Sequence, residues 1–265
     1  MTLKIATWNI NGIKARLDQA VSWVSDMQPD ILCFQEIKTI TEAFPARAFE
    51  DLGYNLAVHG QKGFHGVALL SKLPLEDVKR GLPGEDSDEQ ARFIEGVVSV
   101  PCGAVRVVSL YLPNGNPVGS EKFEYKLRWI ARLKRWALEH MEAEEIFTLA
   151  GDFNVIPEPR DAEFPNNWVN DALYQPESRR AFRDLNNIGL TDAVRAINDG
   201  KGIYTYWDYQ AGAWQRNNGI RIDHQLLSPQ AADRLVGVAI DSRTRSWDKP
   251  SDHVPVIVEL DVEKR

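Results

Sequence analysis

Asp152 and Asn154 stand one residue apart where the apolar run Ile146-Phe147-Thr148-Leu149-Ala150 gives out, just behind Gly151 and ahead of a Pro-rich stretch. Side chains alternate in extended backbone, so at this spacing a carboxylate and a carboxamide share one face while Phe153 turns to the other. Gly151 permits a bend or a close approach by another chain. An Asx turn, which only satisfies backbone groups, uses the same residue types. The pattern recurs, however. Asn9 and Asn11, Glu36, Tyr111 with Asn114, Asp223 with His224, and Asp252 with His253 each sit at the end of an apolar stretch.

Each of these has an ordinary explanation. Glu36 reads equally as a solvated charge, Asp223 as a partner for Arg221, His253 as a satisfied core histidine, and Tyr111 as packing. Together they form a set rich in carboxylates and carboxamides, with isolated histidines and no cysteine cluster. That set suits a hard cation, magnesium or manganese, better than zinc. A metal beside Glu36, a histidine beside an acid, and Tyr and Asn donors suit phosphodiester hydrolysis, in which phosphate charge is neutralised and a carboxylate orients water. A Gly-rich phosphate loop followed by Lys and a Ser nucleophile elbow are both missing, which disfavours nucleotide-driven and acyl-transfer chemistry.

The elements that would position these groups follow from periodicity. Strands are expected at residues 3–7, 31–34, 54–59, 66–71, 92–100, 104–111, 204–209, 221–227, 235–240 and 254–260. Helical spacing recurs at Leu17, Ala20, Val21 and Val24, and again from residue 121 to 141, with Phe123, Leu127, Ile130, Leu133 and Ala137 on one face and Lys and Arg on the other. A further helix is expected at 176–187, stopped by Gly189. Residues 155–174, rich in Pro, Asn and Trp, read as irregular. The successive strands at 54–111 lack helices long enough for parallel crossovers, so the sheets should be mostly antiparallel. Two sheets packed face to face with helices outside is the economical α/β architecture.

A length of 265 residues, 43% hydrophobic and 26% charged content describe a soluble globular chain, read as a single domain over 1–265. No apolar run reaches the length of a membrane helix, and the N-terminus lacks a basic-then-apolar leader, so the expected compartment is the cytoplasm. Cys33 and Cys102 lie in apolar runs and read as buried free thiols. The formal charge of −7 argues mildly against nonspecific polyanion binding, although metal-holding carboxylates add to that total. Tyr204, Tyr206, Trp207, Tyr209 and Trp214 stand near Arg216 and Arg221, an interleaving of aromatics and cations suited to an extruded sugar or a frayed base.

Seven stretches occur in order: Trp8-Asn9-Ile10-Asn11-Gly12, Gln35-Glu36-Ile37-Lys38, Leu110-Tyr111-Leu112-Pro113-Asn114-Gly115, Gly151-Asp152-Phe153-Asn154, Gly189-Leu190-Thr191-Asp192, Arg221-Ile222-Asp223 and Lys249-Pro250-Ser251-Asp252-His253. Together they make the chain resemble, over essentially its whole length, the exonuclease III family of abasic-site endonucleases, in the endonuclease/exonuclease/phosphatase superfamily. The resemblance implies a four-layer α/β sandwich. It also implies a magnesium-dependent enzyme that cuts double-stranded DNA 5′ to an abasic site, leaving a 3′ hydroxyl, with 3′-phosphodiesterase or 3′-to-5′ exonuclease activity as companions.

By the same resemblance, Glu36 binds the metal with help from Asn9 and Asn11, and Asp252 supports the metal region. Asp152 is the base or water-orienting acid, Asn154 and Tyr111 hold the phosphate, and Asp223 orients a phosphate-contacting His253. Tyr206, Ile220 and Ile222 form the abasic pocket. Asn11, Asn114, Trp207, Trp214 and Arg221 complete the expected DNA-facing set, and the chain is expected to work as a monomer. Two other readings stay open: a phosphatase of small phosphorylated molecules on the same fold, and a non-catalytic DNA-binding relative, in which the ligand set would be eroded.

Overall fold

The computed structural model describes residues 1–263. Among the described residues, twelve strands form two six-stranded sheets. The first sheet contains β1 (Thr2–Asn9), β2 (Ile31–Gln35), β3 (Asn55–His59), β4 (Val67–Ser71), β11 (Leu235–Ile240) and β12 (Val256–Asp261), in the order β11-β12-β1-β2-β4-β3. The second contains β5 (Glu76–Arg80), β6 (Phe93–Val100), β7 (Gly103–Tyr111), β8 (Ile146–Asp152), β9 (Thr191–Asp192) and β10 (Asp223–Leu227), in the order β5-β6-β7-β8-β10-β9. Each sheet has one parallel pair, β1–β2 and β7–β8, and is otherwise antiparallel.

Alternation along β1 shows why the layers form. Leu3 and Ile5 point between the sheets with Ile31, Cys33, Leu69, Val105 and Val107. Ala6 and Trp8 point outward, against Ala20, Trp23 and Val24 of α1 (Leu17–Met27) and Phe49 of α2 (Ala46–Glu50). The outer face of the second sheet meets Trp129, Ile130, Leu133 and Trp136 of α3 (Glu121–Glu142) and Phe182 and Leu185 of α4 (Pro176–Asn186). Two short helices, α5 (Ala193–Ile197) and α6 (Pro229–Ala232), complete the set. The result is the expected four-layer sandwich. Removing one of its central side chains, as in Ile5→Ala, is expected to cost about 2–5 kcal/mol.

The space between the sheets changes character along the strands. The inward series runs Leu3, Ile5, Thr7, Asn9 on β1, Ile31, Cys33, Gln35 on β2, and Thr148, Ala150, Asp152 on β8. Midway, the buried Gln35 amide donates to Thr7 Oγ1 at 3.0 Å and Ser109 Oγ at 3.1 Å, and Gln225 donates to the carbonyls of Ile5 at 3.1 Å and Val256 at 3.0 Å. These bonds make a polar layer tolerable in the interior. Beyond it, the C-terminal ends of β1, β2, β7 and β8 and the starts of β10 and β12 reach one rim. Pairing sets this: Asp223 is opposite Asp152, Tyr111 is opposite Asp152, and Thr7 is opposite Val256.

Three expectations need correction, and the strand β5 was not anticipated. Residues 204–209 form no strand; Tyr206 makes only isolated bridges to Ile220 and His253. β5 is an edge strand, mostly exposed, whose Glu-Asp-Val-Lys-Arg sequence lacks an apolar face. On α3, Lys126 and Arg132 are buried beside the apolar residues rather than solvated opposite them. Cys33 is buried, but Cys102 is only half-buried, in the turn between β6 and β7.

Candidate active site

Asp152 ends β8 at a point where its neighbours crowd close: a Cβ on Gly151 would lie 1.9 Å from the carbonyl oxygen of Leu110 on β7. The chain then turns. Asn154 has φ +48 and its backbone N–H donates to Asp152 Oδ1 at 2.9 Å, an Asx turn that fixes the carboxylate. The turn and the chemistry are therefore the same feature. Asn11, Glu36 and Lys38 also have positive φ, 49°, 49° and 52°, a conformation that costs free energy for Glu and Lys and clusters at functional sites.

Asp152 and its neighbours form a chain of contacts. Asn9 donates its amide to Glu36 Oε1 at 2.9 Å and to Asp152 Oδ2 at 3.0 Å, while its own oxygen accepts the Asn11 N–H at 3.0 Å. His253 Nδ1 donates to Asp223 Oδ2 at 2.8 Å, leaving Nε2 3.7 Å from Asp152 Oδ2. Trp8 Nε1 donates to the His253 carbonyl at 3.1 Å and Ser251 Oγ to the Asn9 carbonyl at 2.7 Å, which ties the loop before β12 to the end of β1. Tyr111 is held from below by Arg92, which donates to its carbonyl at 3.2 Å and stacks 4.8 Å from its ring.

Electrostatics follow from this crowding. Burial alone would depress His253, but the Asp223 and Asp152 carboxylates outweigh it and push the imidazole up to about 10. Burial drives Asp152 the other way, up to about 7, opposed by His253 and reinforced by Asp223 and Glu36. Burial would also raise Glu36, yet Lys38, whose ammonium lies 3.0 Å from it, and the Asn9 bond hold it below the usual carboxylate range. Tyr111 is raised well above its ordinary value by burial and by the Glu36 and Asp152 charges, so its hydroxyl stays a donor.

These groups face a cleft of about 290 Å³ whose lining also includes Tyr111, Asn114, Asn154, Trp168, Leu173, Tyr206 and Ile222. Glu36, Asp152, Asp171, Asp208 and Asp252 all border it. A phosphate anion meets five carboxylates there unless a cation intervenes. Glu36, Asp152 and His253 offer ligand atoms within 4.8 Å of one another. Oxygen donors of this kind fit a hard divalent cation. The protonated His253 would repel that cation, so Glu36 and Asp152 are the residues that fit as its holders.

Several expected roles change with this geometry. Asn9 bridges two carboxylates as a donor while its oxygen accepts the Asn11 N–H, so in this arrangement it positions the metal-side carboxylates. Asp252 accepts from Asn11 Nδ2 at 3.0 Å and lies on the cleft wall, outside the converging group. Asn154 donates one amide N–H to the Leu112 carbonyl at 2.9 Å and accepts from Asn114 Nδ2 at 3.3 Å, which leaves its second N–H available in the cleft it lines. Tyr206 and Ile222 line the cleft, whereas Ile220 packs behind them. Trp207 and Trp214 pack edge to face 4.9 Å apart around a separate hollow. Arg221 is 1% exposed and bonds Asp161 and Asp192, each at 2.7 Å, which removes it from any DNA surface. Trp168, Asp171, Leu173 and Asp208 were not anticipated. Trp168, Asp171 and Leu173 come from a segment without periodicity, whose only sequence signal is an aromatic residue and an acid in an Asn- and Pro-rich stretch, whereas Asp208 lies in the 204–209 run expected to be a strand.

The sequence matches the Endonuclease/Exonuclease/phosphatase family over residues 6–253. It is 34% identical to "Exodeoxyribonuclease III" of Haemophilus influenzae, with 97% of this chain and 100% of that one aligned. Among solved structures, an AP endonuclease from Archaeoglobus fulgidus superposes with a TM-score of 0.92 at 38% identity, covering 98% of this chain and 100% of that one. The 3′ phosphatase NExo from Neisseria, bound to a product DNA hairpin, does so with a TM-score of 0.93 at 38% identity, covering 98% and 99%. Fold, cleft and sequence thus agree, and the chain belongs to the exonuclease III branch of the endonuclease/exonuclease/phosphatase family.

Proposed function

We propose that this chain is a DNA-repair nuclease that hydrolyses the phosphodiester 5′ to abasic sites in double-stranded DNA, leaving a 3′ hydroxyl, with magnesium as its metal and manganese as a substitute. The observation that carries this reading is the convergence of Glu36, Asp152 and His253 beside an apolar wall of Trp168, Leu173, Tyr206 and Ile222. DNA as substrate is supported by the full-length likeness to Exodeoxyribonuclease III and by the hairpin in the Neisseria structure.

The residues divide the reaction between them. A divalent cation held by Glu36 and Asp152 would neutralise charge on the phosphate and acidify water. His253, kept protonated by Asp223 and Asp152, presents Nε2–H to a phosphate oxygen. Tyr111 offers a second donor. Asp152, whose carboxyl burial pushes up, orients attacking water and accepts its proton. The wall of Trp168, Leu173, Tyr206 and Ile222 receives a sugar without its base, which gives up less stacking when extruded than an intact nucleotide does. The same cleft serves a 3′ terminus, a second reading favoured by the likeness to a 3′ phosphatase.

The test is a substrate panel: a duplex with one abasic analogue, the same duplex undamaged, and inositol phosphates. Incision on the 5′ side of the lesion is expected, and shortening of the undamaged 3′ end would add the exonuclease. Phosphate release from the small molecules with both duplexes intact would replace this reading with a small-molecule phosphatase.

A further inference from the structure

Lys126 lies on the inner face of α3 with no exposed surface. Its ammonium donates to the backbone carbonyls of Asn114 at 3.0 Å, Asn154 at 2.6 Å and Ala172 at 3.3 Å. Among the described residues no carboxylate is in ion-pair contact with it; Asp171 and Asp152 act on it from further away. A buried ammonium without a contacting counterion is unfavourable unless its hydrogen bonds are fully made. Here they are. Three acceptors use all three N–H groups of an ammonium, whereas a neutral amine has only two.

The three carbonyls come from three different segments, each bordering the cleft. Asn114 is in the loop after β7, Asn154 is in the turn after β8, and Ala172 lies between Asp171 and Leu173 in the long irregular stretch. Lys126 is also held sideways, since a Cβ at Gly115 would lie 2.7 Å from its Cδ. Ser178 on α4 adds a second donor to the Ala172 carbonyl at 2.6 Å.

We infer that Lys126 is a positioning residue for the phosphate-holding wall of the cleft, acting through Asn114 and Asn154, and that it does so only as an ammonium. The inference rests on the nuclease reading above. Burial pushes Lys126 down to about 7, so the proton is held by a narrow margin near neutral pH. The charged groups facing it are Asp171 from the irregular stretch and Asp152 from β8, and both favour the ammonium. The loop after β7 contributes only the uncharged Asn114 and Gly115. A phosphate anion arriving at Asn114 and Asn154 favours the ammonium too, and by reciprocity protonation of Lys126 tightens the hold on phosphate.

The experiment measures kcat and KM on the abasic duplex from pH 6 to 9 for wild type, Lys126→Met and Lys126→Arg at saturating magnesium. Hydrogen exchange on the metal-free proteins runs alongside. Lys126→Met is expected to lose about 30-fold in kcat/KM, mostly in kcat, because a misplaced wall disturbs alignment. Lys126→Arg should recover to within about threefold and keep activity above pH 8, where wild type declines, because guanidinium does not deprotonate.

A folded Lys126→Met with wild-type kcat/KM and pH profile overturns the inference. If that variant does not fold, exchange on wild type decides. Corrected for intrinsic pH effects, residues 114–116 and 171–174 should lose protection between pH 6 and 8.5 while the core strands do not, and unchanged protection overturns the inference. If wild type cuts nothing, the nuclease reading fails, and the exchange measurement alone judges Lys126.

Discussion

Asp223 and His224 are consecutive residues on β10, and they face opposite sides of the sheet into two clusters built from the same kinds of side chain. On the cleft side, His253 meets Asp223 and Asp152 and is driven up to about 10. On the far side, His224 accepts from Arg221 Nη1 at 3.0 Å and donates to the Val155 carbonyl at 3.1 Å, and burial followed by the Arg221 charge drives it down to about 4. The far cluster balances itself: Arg221 and Arg195 against Asp161 and Asp192, with His224 neutral. The cleft cluster has carboxylates to spare. A site differs from a structural network here by unbalanced charge facing an opening, and that surplus is what a metal and a phosphate would complete.

The sharpest way to break this contrast is to remove one group from each cluster. Asp152→Asn should lower kcat by about 10³-fold or more while leaving DNA affinity within a few-fold, since it deletes a proton acceptor and leaves the surface intact. Gel-shift titration beside single-turnover cleavage checks it. Arg221→Met should act on stability instead, losing about 3–5 kcal/mol because Asp161 and Asp192 lose their buried partner. Denaturant unfolding measures this, and turnover per folded molecule should stay within about threefold. Asp223→Asn should lower kcat by about 10²-fold by leaving His253 without its carboxylate acceptor, with a smaller stability change than Arg221→Met.

The smallest effect concerns pH. His224 is depressed from its ordinary 6.5 to about 4 in the folded protein, so below pH 6.5 the unfolded chain binds a proton that the folded one refuses. Stability contributed by neutral His224 is therefore intact above pH 6.5 and lost as pH falls toward 4. The loss is roughly 2 kcal/mol by pH 4.5. In His224→Phe this acid limb should flatten, which unfolding curves at pH 7 and 4.5 would reveal. His253 has the opposite sign: its contribution is complete below 6.5 and lost as pH rises toward 10.

Much of this was legible in the chain itself. Polar residues at the ends of apolar runs marked Asn9, Glu36, Tyr111, Asp152, Asp223 and His253, because alternation forces an inward series to end at the rim. The layers were legible for the same reason. What could not be read was which side of a strand end opens and which closes. Asp223 and His224 look alike in sequence, and Arg221 looks like a DNA contact until Asp161 and Asp192, 60 and 29 residues away, are seen around it. Lys126 reads as a solvated helix lysine because its acceptors are backbone carbonyls, which carry no sequence signal. Trp168 and Leu173 lie in a segment shaped by side-chain to backbone bonds, such as Ala172 N–H to Asn116 Oδ1 at 2.9 Å, rather than by a period.

The most direct measurement is incision of an end-labelled duplex carrying a single abasic analogue, with magnesium and with chelator. Magnesium-dependent cutting immediately 5′ to the lesion, abolished by chelator, is the result expected if the surplus of carboxylates in the cleft exists to hold a cation against phosphate. Equal cutting with and without chelator would contradict that role for Glu36 and Asp152. An uncut duplex in magnesium would contradict the nuclease reading itself.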